Sequence, residues 1–109
     1  MAGLACGEPC PLGWEILSRT AENYISMPDW VAANGMRILG NPLPGDEKII
    51  SGESGASTLG LAAEALQNAQ LRSKLKLDEN SCILCISTEG DTDQENYRRI
   101  LWEGLHPKP

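Results

Sequence analysis

Apolar residues change their spacing several times along the chain, and each change marks a predicted element. After a Pro/Gly-rich entry loop at Gly7–Gly13, Trp14, Leu17, Ala21 and Tyr24 recur at helical spacing between Leu12 and Ser26, with Ile25 beside them. Pro28 suits the first turn of a second helix, which runs to about Leu39 and stops at Gly40-Asn41-Pro42. A loop with two prolines and a Gly-Asp turn covers Asn41–Lys48. Ile49-Ile50-Ser51 then reads as a short strand, and Gly52-Glu53-Ser54-Gly55 as a tight turn into a helix. That helix carries Leu59, Ala62, Ala63, Leu66 and Ala69 on one face. Leu71–Asn80 is a charged connection with room for a further helical turn.

Ser81–Ser87 is apolar without alternation, the pattern of a strand buried on both faces. Thr92 and Glu95 have capping-box spacing for a last helix, with Tyr97 and Leu101 on one side and Gly104 as its end. The predicted order is helix, helix, strand, helix, strand, helix. Residues 1–47 form a helical segment and residues 48–104 a strand-helix-strand-helix unit. Such a unit implies parallel pairing through a right-handed crossover, hence an α/β class. Two parallel strands do not make a stable sheet, so further strands are expected from a longer chain or from another chain.

At 109 residues the chain is one small domain at most, and a 41% hydrophobic, 22% charged composition argues against wholesale disorder. The net charge of -6 and the scattering of nine basic residues make nucleic acid and anionic membrane poor partners. No apolar run approaches the roughly 20 residues needed to span a bilayer, and Met1–Gly13 lacks the form of a signal peptide. A cytoplasmic location is the default expectation. Cysteines fall in two pairs, Cys6/Cys10 and Cys82/Cys85. In a strand, Cys82 and Cys85 point to opposite faces, so buried reduced thiols are expected there and no metal site is assigned.

In open α/β sheets, ligands bind beyond the carboxyl ends of the strands. Two polar turns fall there: Ser51–Ala56 and Ser87–Asp93. If the strands are neighbours, both turns line one crevice, with glycines permitting close backbone approach to a ligand. The following helix offers free amides as a weakly anion-attracting end. The same residues serve equally as caps and turns, and spacing alone leaves both readings open. Ser54, Asp91 and His106 follow the chain order of a hydrolase triad, but Ala56 stands where a nucleophile elbow has its last glycine. A non-catalytic interaction module, with Trp14, Trp30 and Trp102 as interface anchors, is a further alternative.

These turns also carry a family resemblance. Ile49-Ile50-Ser51-Gly52-Glu53-Ser54-Gly55-Ala56 and Ile86-Ser87-Thr88-Glu89-Gly90-Asp91-Thr92-Asp93 resemble the C-terminal signatures of the diaminopropionate ammonia-lyases. Met1-Ala2-Gly3-Leu4-Ala5-Cys6-Gly7-Glu8-Pro9, Gly35-Met36-Arg37-Ile38-Leu39-Gly40-Asn41-Pro42 and the ending Tyr97-Arg98 through Trp102-Glu103-Gly104 are similar to the same family, in the same order. In that family this region closes a chain several times longer, so Met1 is expected to be an internal methionine.

The resemblance implies the C-terminal part of a three-layer parallel-sheet domain of the tryptophan-synthase-β-like fold, with pyridoxal 5′-phosphate (PLP) as cofactor in the full-length enzyme. The implied reaction is α,β-elimination of 2,3-diaminopropionate to pyruvate and two ammonias, in a homodimer. Implied partners are the rest of the lyase chain or a second subunit, and a small amino-acid substrate.

By position, Ser87 resembles the hydroxyl that meets the pyridine nitrogen, with Thr88 as its substitute. Glu53 resembles the acidic residue of the turn flanking the ring, with Gly52 beside it. A hydroxyl, unlike a carboxylate, does not hold the pyridine nitrogen protonated, which favours loss of the β-substituent. Asp91 is expected to cap the last helix. No catalytic residue is assigned: the family's Schiff-base lysine, phosphate-binding glycine loop and acid/base carboxylates lie in a part absent here. Lys48, Lys74, Lys76 and Lys108 match none of those motifs and read as surface charges.

Overall fold

In the computed structural model, which describes residues 1–109, two helices meet at glycines, and the last helix and the N-terminal turn pack beside that contact. A 3-10 turn at Ala2–Leu4 precedes α1 (Pro11–Thr20), α2 (Asp29–Gly40), α3 (Glu53–Gln67), α4 (Ala69–Lys74) and α5 (Gln94–Leu101). Pro28 in extended conformation starts α2, with Asp29 in its first turn and Arg37 in its last, both favourable to the helix dipole. Where α2 crosses α3, a Cβ on Gly35 would lie 2.0 Å from the Ala56 carbonyl oxygen, and one on Gly60 2.0 Å from that of Val31. Only hydrogen fits at these positions, so the two backbones touch directly. Ala33 and Met36 of α2, Ala56 of α3 and Ile100 of α5 close the buried core, flanked by Leu39, Tyr97, Leu101 and Leu105.

Arg37 ties the C-terminal segment to α2. Its guanidinium donates to the carbonyl of Ile100 (3.1 Å) in the last turn of α5, and to those of Leu105 and His106 (3.3 Å) in the segment beyond it. Gly104 takes the positive φ of 73° that turns the chain back after the helix. Further on, the Lys108 ammonium reaches both Glu64 oxygens at 2.9 Å and lies 5.1 Å from the Trp30 ring centroid.

Several elements differ from expectation, and the predicted strand order is not confirmed. Neither predicted strand forms a ladder. The Ile49 amide donates to the Leu39 carbonyl, and no backbone group of Cys82–Thr88 bonds to another backbone group. Nor is the second segment buried on both faces: Ile83, Leu84 and Ile86 are 43%, 84% and 62% exposed. A strand is buried and paired by its neighbours, and none of these residues supplies a neighbour. For the same reason the cysteines are not in a core. Cys6, Cys10 and Cys82 are exposed, Cys85 is half-buried, and all four are free.

The first helix ends at Thr20 rather than Ser26, because Ala21 turns extended. Tyr24 instead folds back, its hydroxyl donating to the Leu17 carbonyl at 2.8 Å and its ring 6.0 Å from that of Trp14. α1 packs against no other helix. α4 fills part of the predicted connection, with the Asn68 side chain accepting from the Gln70 and Leu71 amides. The last helix is capped one residue later than Thr92: Asp93 accepts from the Asn96 amide at 3.0 Å, and Asp91 is not the cap. Asp93 and Asn96 have the same three-residue spacing as Thr92 and Glu95, and a carboxylate serves the free amides at least as well as a hydroxyl.

The glycine contact predicts its own failure. Gly35→Ala or Gly60→Ala must separate α2 from α3, and we expect either to destabilise the fold by about 1–3 kcal/mol or more, read as a lower denaturant midpoint. An unchanged midpoint in both variants would refute the direct backbone contact.

Candidate functional site

The two polar turns meet at the start of α3, as the crevice reading requires. The Gly52 amide donates to the Glu89 carbonyl at 3.1 Å. The Ser54 amide donates to the Glu89 carboxylate at 3.0 Å. The helix end expected to attract an external anion is therefore already served by the protein's own carboxylate. Beside this contact, the hydroxyl of exposed Ser87 lies 2.8 Å from that of buried Ser51 and 3.3 Å from the Glu89 carbonyl oxygen. Glycines make this closeness possible. A Cβ on Gly52 would stand 2.6 Å from the Glu89 Cγ, and one on Gly55 2.7 Å from both the Ser51 Oγ and the Ser87 Cα.

Hollows of opposite character flank this junction. On one side is an acidic cleft of about 120 Å³, whose lining includes Gly52, Glu53, Glu89, Asp91 and Asp93. On the other is an apolar hollow of about 240 Å³ formed by Leu39, Ile49, Gly55, Leu59, Cys85 and Ser87. The predicted site residues are thus divided. Ser87 opens on the apolar hollow, Gly52 and Glu53 line the acidic cleft, and Thr88 is exposed outside both.

Glu53 is engaged within the protein. One carboxylate oxygen accepts from the Gly3 amide at 3.1 Å and the other from the Asn96 side chain, so it joins the 3-10 turn, α3 and α5. The Ser54 hydroxyl donates to the Gly3 carbonyl at 3.3 Å, and the His106 carbonyl accepts from Arg37. No hydrogen bond links Ser54, Asp91 and His106.

The residue-type patterns left four participants without individual roles: Ser51, Glu89, Asn96 and Tyr97. Ser51 is fully buried, and its part in the site depends on a partner 36 positions away, which no local pattern reveals. The Tyr97 hydroxyl is buried with no hydrogen-bond partner. Burial raises its pKa above 10.0, and the nearby Asp91 carboxylate adds to the rise by opposing a phenolate.

Sequence and backbone both match a segment of an ammonia-lyase. The relatives are diaminopropionate ammonia-lyases. The Escherichia coli K12 protein is 57% identical over 97% of this chain, and the Salmonella typhimurium protein 47% identical over 95%. The chain spans about a quarter (27%) of the length of these curated relatives. Among solved structures, the E. coli enzyme in complex with D-serine superposes over 98% of this chain and 28% of its own, with a TM-score of 0.90 at 56% identity. The same enzyme bearing an aminoacrylate–PLP azomethine matches over 97% of this chain and 28% of its own, at 0.89 and 57%. No protein-family model matches the chain.

The raised Tyr97 pKa fixes the sign of a pH effect. Burial favours the neutral phenol, so its contribution to stability is fully present below the unfolded pKa of about 10. It is lost as pH rises through the higher folded value. We expect the denaturant midpoint to fall more steeply above pH 10 than in Tyr97→Phe, a variant that also removes an unsatisfied buried hydroxyl and should be neutral or stabilising at pH 7. Parallel alkaline profiles in the two proteins would contradict the assignment.

Proposed function

We propose that this chain is the part of a PLP-dependent carbon–nitrogen lyase that meets the ring edge of the cofactor, in a protein that converts 2,3-diaminopropionate and water to pyruvate and two ammonias. The observation that carries the reading is the Ser87 hydroxyl, held at the meeting of two turns and open on an apolar hollow. It is supported by 57% identity to an enzyme of that name and by a TM-score of 0.90 to its solved structure.

The residues present fit one end of PLP. A flat, largely apolar ring suits the hollow of Leu39, Leu59 and Gly55, and Ser87 offers a neutral donor and acceptor at its wall. A phosphate does not suit the four carboxylates of the neighbouring cleft, and none of the four lysines lines either hollow. The phosphate and the aldehyde must therefore be held by residues outside this chain. When bound, PLP supplies the electron sink for breaking the bond to the β-amino group. Ser87 would hydrogen-bond the pyridine nitrogen without protonating it. Gly52 and Gly55 keep the two turns close enough for Ser87 to hold that position, with Thr88 as the alternative donor. Glu53 braces the cleft wall through Gly3 and Asn96 and would flank the ring from that side.

In the complete protein, residues 49–51 and 81–87 would enter a parallel sheet as neighbours of strands supplied by the rest of the lyase chain. The exposed Ile83, Leu84 and Ile86 would be covered there. A homodimer in the cytoplasm is the family expectation carried with this reading. No helix of the chain is long and apolar enough to cross a membrane.

Two outcomes are expected. The purified 109-residue chain should release no pyruvate from 2,3-diaminopropionate with PLP added, because it has no lysine in the site. The full-length protein should release pyruvate, and its Ser87→Ala variant should bind PLP roughly three- to ten-fold more weakly, the worth of one neutral hydrogen bond. A full-length protein that binds no PLP would end the proposal.

A further inference from the structure

Resting on the reading of Ser87 above, we infer that Ser51 is a positioning residue that favours the orientation in which the Ser87 hydroxyl donates its proton to the cofactor ring. Ser51 is fully buried and its oxygen lies 2.8 Å from the Ser87 oxygen. Its other partner is the Gly52 carbonyl, an acceptor only, at 3.3 Å. Ser87 has a second acceptor as well, the Glu89 carbonyl at 3.3 Å.

A hydroxyl has one proton and two lone pairs, and its hydrogen rotates to suit its partners. Two arrangements of the pair follow. In the first, Ser51 donates to Gly52 and Ser87 donates to Ser51, so Ser87 presents only lone pairs to the hollow. In the second, Ser51 turns its proton onto the Ser87 oxygen, and Ser87 is free to donate outward. An unprotonated pyridine nitrogen accepts hydrogen bonds and cannot give one, so Ser87 must turn its proton outward, and only the second arrangement then keeps a proton between the two oxygens 2.8 Å apart.

Ser51 thus supplies the hydrogen bond that favours Ser87 as donor, without touching the ring itself. Gly55 holds the pair together, since a Cβ there would stand 2.7 Å from the Ser51 oxygen and 2.9 Å from the Ser87 oxygen. The 2.8 Å separation is the usual length of a strong hydroxyl–hydroxyl bond.

The test is PLP binding to the full-length protein, read by equilibrium dialysis and by the absorbance band of the bound cofactor, in Ser51→Ala, Ser51→Cys, Ser87→Ala and the Ser51→Ala/Ser87→Ala double variant. Ser51→Ala should weaken binding roughly three- to ten-fold and shift the band as Ser87→Ala does, and the double variant should be no weaker than Ser87→Ala alone. Ser51→Cys keeps the shape with a slightly larger, poorly donating atom, so it should show the same loss of binding, read beside its own denaturant midpoint. Binding within two-fold of the unsubstituted protein in Ser51→Ala or Ser51→Cys, with Ser87→Ala impaired, would overturn the role of Ser51. So would fully additive losses. An unimpaired Ser87→Ala would instead remove the assignment of Ser87 on which the inference stands.

Discussion

Direct backbone contact between α2 and α3 is the constraint on which the rest of the structure depends. Gly35 against Ala56 and Gly60 against Val31 leave room for hydrogen and nothing larger, which brings the start of α3 under the body of α2. The core of Ala33, Met36, Ala56 and Ile100 exists only because the helices approach so closely. Residue size decides this, since a single methyl at either glycine would occupy the space of a carbonyl oxygen.

That contact fixes the first turn of α3, and the first turn fixes the site. Gly52, Ser54 and Gly55 receive the 87–90 turn through the Glu89 carbonyl, the Glu89 carboxylate and the two serine hydroxyls. From the other side Glu53 joins the 3-10 turn and α5. The acidic cleft and the apolar hollow are therefore two faces of one knot, and the polarity of each wall follows from which turn supplies it. A polar ligand group and an apolar ring edge would meet different faces.

The exposed apolar surface has a consistent physical explanation. Ile83, Leu84 and Ile86 stand uncovered, as do Leu12, Ile16 and Trp102, in a chain that spans about a quarter of its relatives' length. Surface of this kind is costly in water, at roughly 25 cal/mol per Å². Unbroken apolar patterning over residues 82–86 anticipates neighbours on both faces, and nothing within the 109 residues covers them. The pattern is a property of the sequence, whereas pairing is a property of the company it keeps.

The signals of α2 are local and legible, whereas α1 stops short of its apolar spacing and α4 forms where the pattern shows a connection. Spacing, Pro28 and the Gly40-Asn41-Pro42 stop predict α2 nearly to its ends, and the segment 52–55, read as a turn, is the cap and first turn of α3. Caps were less legible, since Thr92 and Asp93 offer competing oxygens one residue apart. The meeting of the 51–56 and 87–93 turns could be anticipated only on the condition that their strands were neighbours. The sequence by itself determined helical periods, the two glycine-bearing turns and the family signatures, because each is written in residues a few positions apart. Only the tertiary structure decided that Ser51 would face Ser87 across 36 positions, that Glu89 would serve the α3 amides, and that Glu53 would be engaged by Gly3 and Asn96. Those pairings depend on how closely α2 and α3 approach, a distance set by packing between remote segments and absent from any local pattern.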